Sequence, residues 1–502
     1  MKLKNLFIAL VLFTNTVFAQ DGSLDTTFNS TGKLVTTLTY QSAAFQSVAI
    51  QTDGKIVCVG GAAAGFNISD YDFAIARYNT NGILDNSFAT NGILKVDFNS
   101  DYDMATSLAI QPDGKIIIGG KTLTGTSYDF ALIRLTTTGT FDSSFGTNGK
   151  ATFDFNNSSD EAKKILLQPD GKIIIAGFNS TSGAFAALRC NSNGTLDNTF
   201  GTNGKLTTSF LGGSSVNGIA LQADGKIILC GSDLVAGYSN LAVVRYTTLG
   251  VIDTSFAANG KIYISPTSLS SSLSANAIQL QPDGKIIIGG TLDVDFILMR
   301  FKNNGKVDST FGVNGSSKKD IGGGDGLSDL QILANGNILA AGSSTIGSSS
   351  TFVVARFDIN GNIDGTFGNA GIASTSLSTQ YDNLNDITIT SAGKIIAVGN
   401  SANSSKAAVV CYKNSVLPTN IQNTMDKKSI IIIYPNPASS ELNIDVKGER
   451  IETIKVVSIN GQTMTNVEFT NNKINISKLS SNIYFVEART MNNVYRTRFI
   501  KE

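Results

Sequence analysis

The residues whose types and spacing could make a site are carboxylates in the segments that vary between otherwise similar stretches. Asp70 and Asp72, Asp101 and Asp103, Asp129, and Asp160 with Glu161 all fall in such segments. Carboxylate oxygens grouped in this way suit weak binding of a hard divalent cation such as calcium, although no stretch matches an EF-hand loop. Two carboxylates across a cleft would suit glycosidic-bond hydrolysis. Solvated surface charge is the third reading. Histidine is absent, which excludes Ser-His-Asp and Cys-His catalytic sets, His-ligated zinc and haem, and an imidazole pH switch. Tryptophan, the residue most used to stack sugars and bases, is absent too. No other cofactor is expected.

A second charged pattern is more regular. An arginine precedes an aspartate by eight residues in Arg77/Asp85, Arg134/Asp142, Arg189/Asp197, Arg245/Asp253, Arg300/Asp308 and Arg356/Asp364. A group present once per repeat reads as structural, a charged pair or turn brace within each unit, because a catalytic group is needed once per site. Where a seventh pair would stand, Asp25 faces Cys411, and Lys413 is the nearest spare cation. The four cysteines, Cys58, Cys190, Cys230 and Cys411, fall in apolar phrases and read as free core thiols, with disulfides left open by export.

These residues sit in a repeat. The phrase AIQPDGKIIIGG at 109–120 is one of seven versions, with turn glycines 52 to 60 residues apart from Gly54 to Gly393. A second phrase of the type FALIRLTTTGTFDSSF follows six of them, and a GKxxxxF phrase closes each unit. Each phrase is short, β-branched and bounded by Asp-Gly or Asn-Gly, the pattern of strands and hairpins. One unit supplies about four strands, as propeller blades do. The regular Phe28, Phe88, Phe145, Phe200, Phe256, Phe311 and Phe367 read as packing between layers.

The two ends of the array are out of phase. Residues 21–38 are the closing part of a unit without its beginning, and the last unit lacks its LDxxF. An all-β, seven-bladed propeller closed by its N-terminal strand explains both ends and removes the exposed sheet edges of an open array. Over residues 21–413 the LDxxFGxxG and QPDGKIIIGG phrases resemble the delta-60 repeat family of bacterial β-propellers. That resemblance implies the fold and transfers no activity.

Beyond residue 415 the pattern changes. Residues 416–429 form a polar linker, and 430–502 alternate strands with Pro, Asn-Gly and Ser-rich turns, which predicts a small Ig-like β-sandwich. Tyr434, Pro435, Asn436, Pro437, Asn460, Gly461, Leu479 through Tyr484 and the basic-apolar ending Arg498 to Lys501 closely resemble the type A sorting domain of the type IX secretion system. The resemblance implies a Bacteroidetes-type bacterium, passage from the periplasm across the outer membrane, and the type IX machinery as a partner. At the other end, Lys2, Lys4, the apolar run Leu6–Phe13 and the small residue Ala19 read as a signal peptide over 1–19, leaving residues 20–415 as the propeller. No later apolar run is long enough to span a bilayer as a helix, so no transmembrane anchor is expected.

The 39 basic residues balance 39 acidic ones and 16% of positions are charged, which argues against nucleic acid as a partner. The leading expectation is a secreted or cell-surface binding module that recognises an extracellular glycan or protein without catalysis. A secreted polysaccharide hydrolase or lyase using the loop carboxylates, and a structural cell-envelope component, are the alternatives. Short turns of fixed chemistry should occupy one face of the ring, and the variable connections, where loops carry function, the other.

Overall fold

A computed structural model describes residues 20–38, 40–63, 71–98, 102–155, 158–266, 268, 270–403, 405–416, 431–434, 438–446, 450–458, 463–465, 467–470, 472–490 and 494–502. The chain divides into two compact units, Met1–Ile421 and Gln422–Glu502. Among the described residues every regular element is a strand, so no helix is long and apolar enough to cross a membrane.

The first unit is propeller-type, with seven antiparallel sheets of four strands each among the described residues. Sheet 1 runs Ser42–Ile50, Ile56–Ala63, Tyr71–Tyr78 and Ile93–Val96 in spatial order. The same order recurs in sheets 2 to 6, whose first strands begin at Asp103, Asp160, Gly213, Leu273 and Gly324. Sheet 7 differs. Asn383–Ile389, Ile395–Ser401 and Lys406–Tyr412 are joined by Lys33–Thr36, with Lys33 opposite Val410 and Thr36 opposite Ala407. The second and third strands are buried over their apolar phrases, and in sheet 1, IVCVGGAA and YDFAIARY, along their whole length. That explains their near-continuous apolar runs, because both faces meet neighbouring sheets.

A β-bulge interrupts the first strand of every sheet, for example between Phe45 and Ser47 and between Leu384 and Asp386. It presses a backbone carbonyl against the second glycine of the KIIIGG phrase. A Cβ on Gly120 would lie 2.0 Å from Met104 O, and one on Gly177 1.9 Å from Glu161 O. The glycine repeats because the bulge repeats.

The second unit holds a four-stranded sheet, Ile431–Tyr434, Glu441–Val446, Lys473–Asn475 and Glu468–Thr470, and a three-stranded one, Ile451–Ser458, Asn482–Thr490 and Val494–Lys501. Leu442, Ile444 and Ile474 of the first share a core with Val456, Val486, Ala488 and Phe499 of the second.

Candidate functional site

Antiparallel alternation puts two kinds of connection at opposite ends of each sheet. The QPDGK and NTNG turns lie at one end. The second-to-third-strand connections and the links to the following sheet lie at the other.

At the turn end, all six arginine–aspartate pairs close at 2.8–2.9 Å: Arg77–Asp85, Arg134–Asp142, Arg189–Asp197, Arg245–Asp253, Arg300–Asp308 and Arg356–Asp364. A third member was not anticipated. The lysine of each DGK turn reaches the same carboxylate, as in Lys115–Asp142 at 2.7 Å and Lys285–Asp308 at 3.3 Å. In the unit that reads ANGN, Asn337 donates to Asp364 instead. This turn lysine also corrects the expectation for Asp25, whose cation is Lys394 at 2.5 Å and not Lys413. Lys394 follows the turn glycine Gly393 and so stands where the turn lysine of the other units stands, at the position that reaches the aspartate.

The arginines also join sheets. Arg189 donates to Thr248 O, Arg245 to Asn303 O and Arg300 to Ile359 O, each in the next sheet. Arg356 bonds Asp21 and Asn414. Each guanidinium lies 4.4–4.9 Å from the LDxxF phenylalanine ring of its own unit. That ring reaches under the following sheet's turn glycine, as Phe145 does beneath Gly194. Burial alone would raise Asp85, Asp197, Asp308 and Asp364. Their hydroxyl, backbone and cationic partners outweigh it and hold all four below the usual carboxylate range, Asp308 at about 2. This end of the fold is a brace.

At the other end the acidic residues are not the exposed loop charges expected from the sequence. Asp72, Asp103, Asp129 and Asp160 lie inside strands and are buried. The strands run beyond their apolar phrases into the connections, and this carries the carboxylates into the seams between sheets. Glu161 is half-buried and held by Lys121 and Lys163 at 2.8 and 3.0 Å. Asp70 and Asp101 lie outside the described residues.

Among the described residues, three seams gather three carboxylates within 4.8 Å of one another: Asp72, Asp97 and Asp103; Asp129, Asp154 and Asp160; and Asp295, Asp320 and Asp325. Five of these nine residues were missed by sequence reasoning. Asp97, Asp154 and Asp320 each have one partner 25 positions back in the sequence, brought close only when the fourth strand pairs with the third. Burial, followed for Asp103 by the Asp72 and Asp97 charges and for Asp160 by that of Asp154, pushes both up to about 6, against the pull of their hydrogen bonds.

A hollow of about 500 Å³ opens at this end beside the third cluster. Asp293, Asp325, Ser328, Ser343, Thr345 and Asn383 give it a mixed hydroxyl, amide and carboxylate lining. Deeper in, the bulge register carries Ser47, Ser107, Lys164, Asp329 and Asp386. Asp386 accepts from Ser47 Oγ at 2.6 Å and Val48 N at 2.9 Å. Burial, and then the Asp386 carboxylate with which it hydrogen-bonds, push Asp329 well above the usual range. Carboxyls hydrogen-bonded to each other leave no room for a glycosidic bond between them. All four cysteines are buried free thiols.

Of the C-terminal motif, Tyr434 is exposed, whereas Pro435, Asn436, Pro437, Asn460 and Gly461 lie outside the described residues, as does the 1–19 segment. The chain's last strand pairs with Asn482–Thr490, and Ala438 N donates to Ile500 O at 2.9 Å.

No curated protein matches the sequence. Solved structures with a similar fold include a catalytically inactive virginiamycin B lyase from Staphylococcus aureus with quinupristin, at TM-score 0.47 and 13% identity, covering 76% of this chain and 99% of the lyase. Chaetomium thermophilum Sqt1 gives TM-score 0.41 and 11% identity over 74% of this chain and 96% of that one. The aldose sugar dehydrogenase of Streptomyces coelicolor gives 0.36 and 13% over 61% and 93%. The family described as domain of unknown function (DUF5122) beta-propeller matches residues 51–88, 111–145, 168–200, 222–256, 281–311 and 333–367. The secretion system C-terminal sorting domain matches 432–502, indicating export to the cell surface or beyond. The chain is a β-propeller of DUF5122 repeats that carries a type IX secretion sorting domain at its C-terminus.

Proposed function

We propose that the protein is an exported, non-enzymatic recognition module: a signal peptide over 1–19, a seven-bladed propeller over 20–415 closed by its N-terminal strand, a linker, and an Ig-like sorting sandwich over 430–502. Closure is supported by a set of backbone hydrogen bonds that passes from each sheet's closing turn to the next sheet's turn. Ala89 N bonds Thr138 O, Gly146 bonds Asn193, Gly201 bonds Leu249, Ala257 bonds Asn304, Gly312 bonds Asn360, Gly368 bonds Asp21, and Asn29 bonds Asn81, all at 2.7–2.8 Å. The last of these joins sheet 7 to sheet 1.

The observation that carries the recognition reading is the open hollow on the variable end, lined by hydroxyls, amides and carboxylates. It suits a polar, hydroxyl-bearing extracellular ligand such as a glycan. Gly326 offers a clean test, because a Cβ there meets nothing within 4 Å. Gly326→Trp should fill the hollow and abolish binding on a glycan array or from outer-membrane extract while leaving the melting temperature unchanged. Full binding by a folded Gly326→Trp protein would sink the assignment. Export is tested separately. A chain lacking 432–502 should accumulate in the periplasm of its host, and its normal appearance outside the cell would contradict the sorting role.

A further inference from the structure

We propose that the seam between sheets 5 and 6 binds one divalent cation of the calcium class through Asp295, Asp320 and Asp325. The carboxylates lie within 4.8 Å of one another, and one ion at calcium–oxygen distances of about 2.4 Å can touch atoms that far apart. The cluster has a second mark. Asp325 is 2% exposed, and its Oδ2 accepts from Ile321 N at 2.7 Å, while its Oδ1 is buried with no hydrogen-bond partner. A buried carboxylate oxygen left in this state is costly unless a cation reaches it. Asp320 is exposed at the rim, which gives the ion a way in.

Charge agrees with this. Asp295 already pairs with Lys318 at 2.6 Å, so three carboxylates and one ammonium leave two negative charges, which one divalent cation balances. Magnesium fits less well, because it keeps its water and demands regular octahedral geometry, whereas calcium accepts an irregular set of oxygens completed by water. The seam between sheets 2 and 3 is the internal contrast. Ser158 and Asn179 donate to Asp160 Oδ1 and Phe155 N to Oδ2, so the innermost carboxylate there is satisfied.

The site adjoins the hollow, which Asp325 also lines, and this deepens the recognition reading. Its test uses the metal alone, so the two can fail separately. Equilibrium dialysis of the intact chain with calcium chloride should show bound calcium, and Asp325→Asn should remove one ion per chain. Asp320→Asn, at an exposed position, should weaken affinity by at least about tenfold and leave the melting temperature in EDTA unchanged. Lys318→Gln, which removes the competing ammonium, should tighten it. Asp160→Asn should leave the count unaltered. No bound calcium at millimolar concentration, or an unchanged count in folded Asp325→Asn and unchanged affinity in Asp320→Asn, would overturn the proposal.

Discussion

Replacing Asp308 with asparagine isolates what one turn-end brace contributes. The side chain of Asp308 is 3% exposed and touches Arg300 at 2.9 Å and Lys285 at 3.3 Å. Burial would raise its carboxyl, but Thr310, Arg300 and Lys285 hold it at about 2 against an ordinary 3.8. At ~1.4 kcal/mol per pH unit, that lowering contributes roughly 2 kcal/mol. An asparagine oxygen can still accept from Thr310, but Arg300 keeps its charge in a buried place, and orphaning one member of a buried pair costs about 3–5 kcal/mol. Lys285 is a third exposed and relaxes into water. The expected loss at pH 7 is therefore about 2–4 kcal/mol. The sign follows from proton uptake. The unfolded chain takes up its proton as pH falls through 3.8, and the folded one resists until about 2. The contribution is thus complete above about pH 4 and gone near pH 2. Urea unfolding of Asp308→Asn and the parent chain at pH 7 and pH 2.5 would measure it. A difference below about 0.5 kcal/mol at pH 7, or one as large at pH 2.5, would refute the reasoning. Asp25→Asn should cost less, because Cys411 replaces the arginine and leaves no buried guanidinium behind.

Asp103 and Asp160, raised to about 6, act in the opposite sense: the stability they lend is full below about pH 4 and lost as pH rises through 6. Metal-free protein should therefore melt highest near pH 4–5, and a maximum at pH 7–8 in EDTA would contradict this. Burial pushes the thiols of Cys190, Cys230 and Cys411 up to about 12 and that of Cys58 well above its usual value. A thiol reagent should count none of the four cysteines in native protein and all four in denaturant. Gly194 has φ +84°, and an added Cβ would lie 2.9 Å from the Phe145 ring. Gly194→Ala should lower stability by about 1–3 kcal/mol in thermal or chemical unfolding, and a neutral result would show that the ring can move.

The repeated phrases made the strands and their number legible, because each apolar run was bracketed by turn residues and both faces were to be buried. The ragged ends predicted that residues 21–38 complete the last unit, and within them Lys33–Thr36 pairs with Ala407–Val410. The eight-residue spacing predicted the arginine–aspartate contacts. The lysine of each DGK turn was visible in every phrase that had one, yet its partner lies in a different hairpin, and only pairing of the second strand with the third reveals it. The carboxylates were misplaced for a physical reason. Strand ends were set at the end of apolar character, but polar residues such as Asp72 and Asp129 continue the ladder opposite Ala62 and Thr122. Lys164, Asp329 and Asp386 escaped notice because the bulge adds one residue and breaks the two-residue alternation by which inward and outward positions are read.

The proposed closure by the N-terminal segment, which would set sheet 1 beside sheet 7, is the central claim. Amide hydrogen exchange at Cys411 and Lys413 tests it most directly. In the intact chain these amides donate to Gly32 O at 2.9 Å and Ser23 O at 2.8 Å. A chain beginning at Tyr40 removes both acceptors, bares the strand Lys406–Tyr412 and takes away Phe28, which is fully buried. The account predicts strong protection of the two amides in the intact protein and its loss in the shortened one, with earlier and broader melting. Equal protection and equal melting in both chains would contradict the closed ring.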